Sequence, residues 1–237
     1  DLQTPSDEEY MEQRQEHIHG NYSSYYTYRN PGVGVSTDAR LALLREDLFK
    51  GRKCLDIGCN SGDFTRQIAS QFGCRYMLGV DIDERLVAAA WCGMSREGFR
   101  NALLSDSTVC FRREDFVQDE HDDSGGYDTI SCFSVAKWIH LNHGDEGISA
   151  FFRKVHSLLK DGGVFVLEPQ PWHSYKKNKA SSEAARVNFS AIKLRPEAFG
   201  DYLVSTVGFR GCEALGAPDA STCASDGFVR PILILRK

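Results

Sequence analysis

Leu55-Asp56-Ile57-Gly58-Cys59-Asn60-Ser61-Gly62 joins two segments of different periodicity. Before it, Lys53 to Ile57 is a short, mostly apolar run of strand length. After it, Phe64, Ile68 and Phe72 recur at spacing four, which puts them on one face of a helix. Gly58 to Gly62 is then a tight turn between strand and helix, and the unit repeats along the chain. Tyr76 to Val80 reads as the next strand, and Asp83 to Trp91 as a helix of good formers with Asp83 as its N-cap. Thr108 to Arg112 and Tyr127 to Phe133 supply two more strands. Glu146 to Leu159 carries an apolar stripe of Phe151, Phe152, Val155, Leu158 and Leu159 and is expected as a helix. Asp161-Gly162-Gly163 is expected to end it in a left-handed cap, with Val164 to Leu167 as the following strand. A further helix is expected over Thr37 to Phe49.

Strands alternating with helices require crossover connections, so the expected architecture is α/β: a mostly parallel sheet with helices on both faces. Phe209 to Leu215 and Pro231 to Leu235 read as an antiparallel strand pair at the C-terminus. No repeat and no long Pro/Gly linker divides the chain. Residues 25–237 are therefore expected as one domain, preceded by a flexible or partner-ordered segment at 1–24.

Composition excludes several classes. With 41% hydrophobic and 26% charged residues, the chain cannot be mostly disordered. Its longest unbroken apolar stretches, such as Ile232 to Leu235, fall far short of the roughly 20 residues a spanning helix needs. The acidic start lacks the basic patch and apolar run of a signal peptide, so a location in the cytoplasm or nucleus is expected. Eight cysteines are scattered without a Cys-x-x-Cys pair, and are expected reduced, with no metal site. A net charge of −5 argues against a generic nucleic-acid binder. The charge is uneven, however: residues 169–195 hold six bases (Lys176, Lys177, Lys179, Arg186, Lys193, Arg195) against Glu183, a local footprint for an anionic partner.

The glycine turn also narrows the cofactor. Gly58 and Gly62 are four apart, and no Gly-x-Gly-x-x-Gly series brings backbone against a pyrophosphate. A Gly-x-x-x-Gly turn suits close approach to an amino-acid moiety and ribose, as in S-adenosylmethionine, which has no pyrophosphate. Asp81, ending the second strand, can accept from ribose hydroxyls, and Asp115, after the third, from an adenine amino group. Parallel sheets bind ligands at the carboxyl ends of their strands, where all three features fall. The plainer reading gives the glycines a turn and Asp81 a helix cap; their coincidence at successive strand ends favours the cofactor.

Further runs complete the pattern: Gly20-Asn21-Tyr22, Tyr25-Tyr26-x-Tyr28-Arg29-Asn30-Pro31, Gly79-Val80-Asp81-Ile82-Asp83, Lys137-Trp138-Ile139-His140-Leu141-Asn142, Gly144-Asp145-Glu146-Gly147, Leu167-Glu168-Pro169-Gln170-Pro171-Trp172 and Gly227-Phe228-x-Arg230-Pro231. With the glycine turn they resemble the Rossmann-like class I methyltransferases that use S-adenosylmethionine. Within that class they resemble the methylphosphate capping enzymes of small non-coding RNAs, the bicoid-interacting-protein family. The connection from Glu97 to Ser107 is short where some relatives carry insertions.

The resemblance implies methyl transfer from S-adenosylmethionine to the 5′-terminal γ-phosphate of a small non-coding RNA of the 7SK type, leaving S-adenosylhomocysteine. It implies cofactor contacts from Arg40, Gly58, Cys59, Asn60, Gly62, Asp81, Ile82, Asp115, Phe116 and Ser134. Tyr25, Arg29 and Lys137 are implied as catalytic, and together with Trp172, Lys176, Lys177, Phe228 and Arg230 as RNA-binding. A terminal phosphate loses its second proton near pH ~6, so its oxygen is already anionic and no general base is required. His140 and His143, flanking Asn142 in an expected turn, are then left to structural hydrogen bonds. Two rivals remain: methylation of an RNA 5′-monophosphate, and an RNA-binding ribonucleoprotein subunit on the same fold. The expected partners are a triphosphate-bearing RNA 5′ end and ribonucleoprotein proteins, with no membrane and a monomeric chain.

Overall fold

A computed structural model describes residues 17–23, 25–29, 37–96, 108–123, 125–218 and 226–237. Residues 1–16 and 24 of the N-terminal segment, Pro31, the Glu97 to Ser107 connection and Cys223 lie outside the described residues.

The strands are β1 (Lys53–Ile57), β2 (Tyr76–Asp81), β3 (Thr108–Arg113), β4 (Tyr127–Phe133), β5 (Leu159–Glu168), β6 (Gly211–Ala214) and β7 (Leu233–Arg236). They form one sheet in the order β3-β2-β1-β4-β5-β7-β6. The first five are parallel, and β7 runs antiparallel to both β5 and β6, so the C-terminal pair stands as expected. The helices are α1 (Tyr25–Arg29), α2 (Asp63–Phe72), α3 (Glu84–Arg96), α4 (Ala136–Leu158), α5 (Trp172–Asn178), α6 (Glu183–Ala191) and α7 (Phe199–Tyr202).

Two apolar cores cover the sheet. One packs Phe64, Ile68 and Phe72 of α2 with Met77 and Phe111; the other packs Phe151, Phe152 and Val155 of α4 against Ile130, Phe165 and Leu235. The α2 stripe lies in one core and the α4 stripe in the other, as the spacing-four pattern requires. The strand order changes direction between β1 and β4, and the crevice at that switch is where a ligand belongs.

Three local expectations are corrected. Thr37 to Phe49 is not one helix but two 3-10 turns, Ala39–Ala42 and Glu46–Leu48, separated by Arg45 in an extended conformation. The Asp38 carboxylate accepts from both the Arg40 backbone N–H and its guanidinium, and so fixes a short turn around Arg40. The long helix begins ten residues early, at Ala136, and Gly144 at φ 66°, ψ −168° breaks it into two halves; His140 is therefore helical rather than in a turn. It ends at Leu158, and Asp161-Gly162-Gly163 lies within β5 as a bulge rather than a helix cap. There the Gly162 N–H donates to the Lys237 carbonyl and the Lys237 N–H to the Gly163 carbonyl.

The turn after β1 depends on Gly58, at φ 76°, where an added Cβ would stand 2.1 Å from Val135 Cγ2. Gly58→Ala is expected to lower unfolding free energy by about 1–3 kcal/mol in a urea titration. An unchanged midpoint would mean that this turn is not constrained by Val135.

Candidate active site

The strand ends of β1, β2, β4 and β5 open into a cavity of about 560 Å³, within the roughly 300–1,000 Å³ range of ligand pockets. On one side lies Asp81. Its buried carboxylate accepts the backbone N–H of Asn60 at 2.8 Å and of Asp83 at 3.0 Å, and burial pushes its pKa up. Each carboxylate oxygen can accept two hydrogen bonds and holds one from the backbone, so both keep capacity for a pair of ribose hydroxyls. Ile82 and Phe116 supply apolar walls, and Asp115 lies on the same rim.

A second feature is a buried cluster of charges. Arg40 grips Asp38 through Nε and Nη2 at 2.9 and 2.8 Å and reaches Glu168 at 3.3 Å, with its guanidinium 3.8 Å over the Phe64 ring. Three of its five donors are thereby used. Arg29 donates to Glu168 at 2.7 Å and to the Tyr25 hydroxyl at 3.0 Å. Ser134, at φ 64°, accepts from the Tyr25 hydroxyl at 2.8 Å and from Arg230 at 2.9 Å, and donates to Glu168. Burial alone would raise Glu168, but Arg29, Arg40 and Arg230 outweigh it and hold the carboxyl below its usual value. Asp38 is likewise held at about 2 against burial, by Arg40 and Arg29.

Asp38 and Glu168 thus balance Arg29 and Arg40. Lys137 and Arg230, 6% and 7% exposed, have no carboxylate within ion-pair distance among the described residues. Lys137 Nζ donates instead to Ser174 Oγ at 3.0 Å and Asn178 Oδ1 at 2.7 Å, and stands 4.1 Å from the Trp138 ring centroid. Burial, with Arg230 and Lys177 nearby, pulls its pKa down to about 7. Two buried basic groups without a carboxylate partner, lining one cavity, are suited to an anion, because an isolated buried charge is costly until a partner arrives.

Of the residues expected at the cofactor, Arg40, Gly58, Asn60, Asp81, Ile82, Asp115, Phe116 and Ser134 line the cavity. Cys59 and Gly62 lie behind it, Gly62 opening α2 at φ 73° against Phe111 and Ala90. Tyr25, Lys137, Phe228 and Arg230 also line it. Arg29 does not: its fork is spent on Glu168 and Tyr25. Trp172, Lys176 and Lys177 lie outside the cavity, and Trp172 is stacked on Phe189 with Arg195 3.5 Å over its ring.

Sequence reasoning assigned no site role to Gly20-Asn21-Tyr22, which lines the cavity. Asn21 donates to Asp83 at 2.7 Å, Asn60 donates to the Tyr22 carbonyl at 3.1 Å, and Asn142 to the Ile18 carbonyl at 2.9 Å. An added Cβ at Gly20 would fall 2.0 Å from the Trp138 indole nitrogen, so only glycine fits. The signal was the run itself, a glycine beside polar residues ahead of the aromatic Tyr25-Tyr26 pair. Asn178 and Gln170 were also missed; Gln170 accepts from the Lys137 N–H and donates to the Ser134 carbonyl.

Fold and site together define a class I methyltransferase that uses S-adenosylmethionine. A general methyltransferase domain model matches residues 55–165, and the model described as Bicoid-interacting protein 3 (Bin3) matches residues 127–237. The chain is 40% identical to a probable RNA methyltransferase of Arabidopsis thaliana, over 92% of this chain and 80% of that one. It is 33% identical to the human 7SK snRNA methylphosphate capping enzyme and 36% to the U6 snRNA methylphosphate capping enzyme of Drosophila melanogaster. Those matches cover 96% and 92% of this chain, but 40% of the human protein and 74% of the fly protein. In fold it is similar to magnesium protoporphyrin IX methyltransferase of Synechocystis PCC 6803, with a TM-score of 0.58 at 16% identity over the whole of both chains. The chain belongs to the Bin3 family of methyltransferases.

Asp81→Ala is expected to weaken S-adenosylhomocysteine binding by about 1.5–3 kcal/mol, the range for hydrogen bonds to a charged group. Calorimetry reads this directly, and an unchanged affinity would remove Asp81 from the site.

Proposed function

We propose that this chain methylates the γ-phosphate of a 5′-triphosphate end on a small non-coding RNA. The observation that carries the reading is the pair of buried, carboxylate-free cations, Lys137 and Arg230, in the cavity that Asp81 also lines. S-adenosylmethionine supplies a methyl group made electrophilic by its positive sulfur. A phosphate oxygen gives an electron pair to that carbon as the carbon–sulfur bond breaks, yielding a methylphosphate and S-adenosylhomocysteine. With the oxygen already anionic, no side chain has to remove a proton.

The protein's task is alignment, worth up to roughly 7–11 kcal/mol in favourable intramolecular cases. Lys137 holds phosphate as a point charge and Arg230 through a planar fork. A cation on the attacking oxygen would lower its nucleophilicity, so both grip non-attacking oxygens. Arg29 acts from behind by orienting Tyr25 and Ser134. Phe228 closes the wall beneath the Arg29 and Arg230 guanidinium groups, 5.1 and 5.3 Å from its ring. Lys176 and Lys177, on α5 next to the opening residue Asn178, extend the positive surface along the RNA chain.

Some similar proteins are named RNA 5′-monophosphate methyltransferases, among them one from Rattus norvegicus at 32% identity over 52% of this chain. Two surplus cations beside a further basic stretch suit the longer, more charged triphosphate. The capping of snRNA by its relatives supports a nuclear setting, with ribonucleoprotein proteins as partners.

Labelled methyl should pass to 5′-triphosphate RNA in preference to monophosphate RNA, and not to phosphatase-treated RNA; equal labelling of the treated RNA would end the phosphate reading. The pH profile carries a second expectation. Activity at low RNA concentration should rise as the phosphate deprotonates near pH ~6, then fall as the Lys137 ammonium, at about 7 in the free protein, is lost. Lys137→Arg keeps its charge and should abolish the falling limb. Lys137→Met should lower transfer about ten- to a hundredfold while S-adenosylhomocysteine still binds; loss of that binding would place Lys137 elsewhere in the site.

A further inference from the structure

Lys137 sits in the first turn of α4, and both acceptors of its ammonium come from α5. Ser174 and Asn178 are four residues apart and therefore on one face of that helix. Both are uncharged. A buried lysine ordinarily meets a carboxylate, whereas the two carboxylates of this cluster, Asp38 and Glu168, are occupied by Arg29 and Arg40.

We infer that Asn178, seconded by Ser174, is a positioning residue that aims the Lys137 ammonium into the cavity on neutral acceptors, so that its whole charge is left for the substrate phosphate. The inference rests on the phosphate reading above and deepens it. An ammonium only donates, which fixes the Asn178 amide with Oδ1 toward Nζ. The amide hydrogens on Nδ2 then have no acceptor among the described residues, and Asn178 lines the cavity, so they too are available to an anion. A carboxylate in the same place would hold the lysine equally well but would halve the surplus charge of the wall. Selectivity for an anionic terminus is thus set by what α5 withholds.

The rest of α5 is anchored independently. Tyr175 meets His140 Nδ1 at 3.3 Å, and Trp172 stacks on Phe189 at 4.8 Å. The neighbouring α6 is tied to α4 through Asn188, which donates to the Leu141 carbonyl at 2.9 Å. Asn178 is half-buried at the end of its helix, so substitution there changes charge rather than packing.

The test uses the full chain as Asn178→Asp and Asn178→Ala, with two readouts. In the absence of RNA, carbon NMR of isotope-labelled lysine follows the titration of Lys137. In the Asp variant its midpoint should rise by about one unit or more, since an adjacent opposite charge stabilises the ammonium; in the Ala variant it should not rise. With 5′-triphosphate RNA, the Asp variant should raise KM about tenfold with a smaller change in kcat, because a ground-state grip on the phosphate is cancelled. The Ala variant should also raise KM, while retained S-adenosylhomocysteine binding confirms the fold of both. A wild-type KM in the Asp variant, or an unmoved Lys137 midpoint, would overturn the inference. Failure of the wild type itself to label triphosphate RNA would instead overturn the phosphate reading, and this inference with it.

Discussion

Glu168 is wholly buried at the end of β5, and the site is assembled around the need to balance it. A carboxylate in that position is tolerable only with paired cations and full hydrogen bonding, since removing one partner of such a pair costs about 3–5 kcal/mol. The partners come from distant parts of the chain: Arg29 from α1, Arg40 from the 3-10 turn before β1, and Ser134 from the turn after β4. Arg230, before β7, joins them through the Ser134 hydroxyl. One buried acid thereby ties α1 and the segment before β7 to the carboxyl end of β5.

This arrangement also gives one cavity two chemically different sides. Toward Asp81 the site offers carboxylate and backbone groups, which suit hydroxyls and amines. Toward Lys137 and Arg230 it offers unbalanced positive charge, which suits an anion. Gly20-Asn21-Tyr22 bridges the two halves, resting on Trp138 beside Lys137 and bonded to Asp83 beside Asp81. The same short segment thus touches both the Asp81 side and the Lys137 side of the cavity.

Much of the fold was legible because parallel strands buried on both faces must be apolar and must be followed by a turn. Lys53 to Ile57, Tyr76 to Val80 and Tyr127 to Phe133 announce themselves this way, and Asp81 is conspicuous as an acid ending such a run. The helix expected over Thr37 to Phe49 failed because apolar spacing cannot register that the Asp38–Arg40 pair terminates the first turn. The bulge at Gly162 was hidden for a similar reason: its backbone partner, Lys237, is 75 positions away. Charge balance was the least legible feature. Sequence shows that Arg29, Arg40, Lys137 and Arg230 are cationic, but only proximity to Asp38 and Glu168 separates the neutralised pair from the free one. Trp172 stands beside a basic stretch in sequence, and only the structure shows Phe189 and Arg195 packed on its ring.

The central claim is that a terminal phosphate meets the surplus charge of Lys137 and Arg230, and phosphorus NMR tests it most directly. With a 5′-triphosphate oligoribonucleotide and the S-adenosylhomocysteine-loaded chain, the γ-phosphorus titration should move well below its free midpoint of about 6. It should move back toward that value in Lys137→Met. A γ-phosphorus titration identical in the presence and absence of saturating protein would contradict the account.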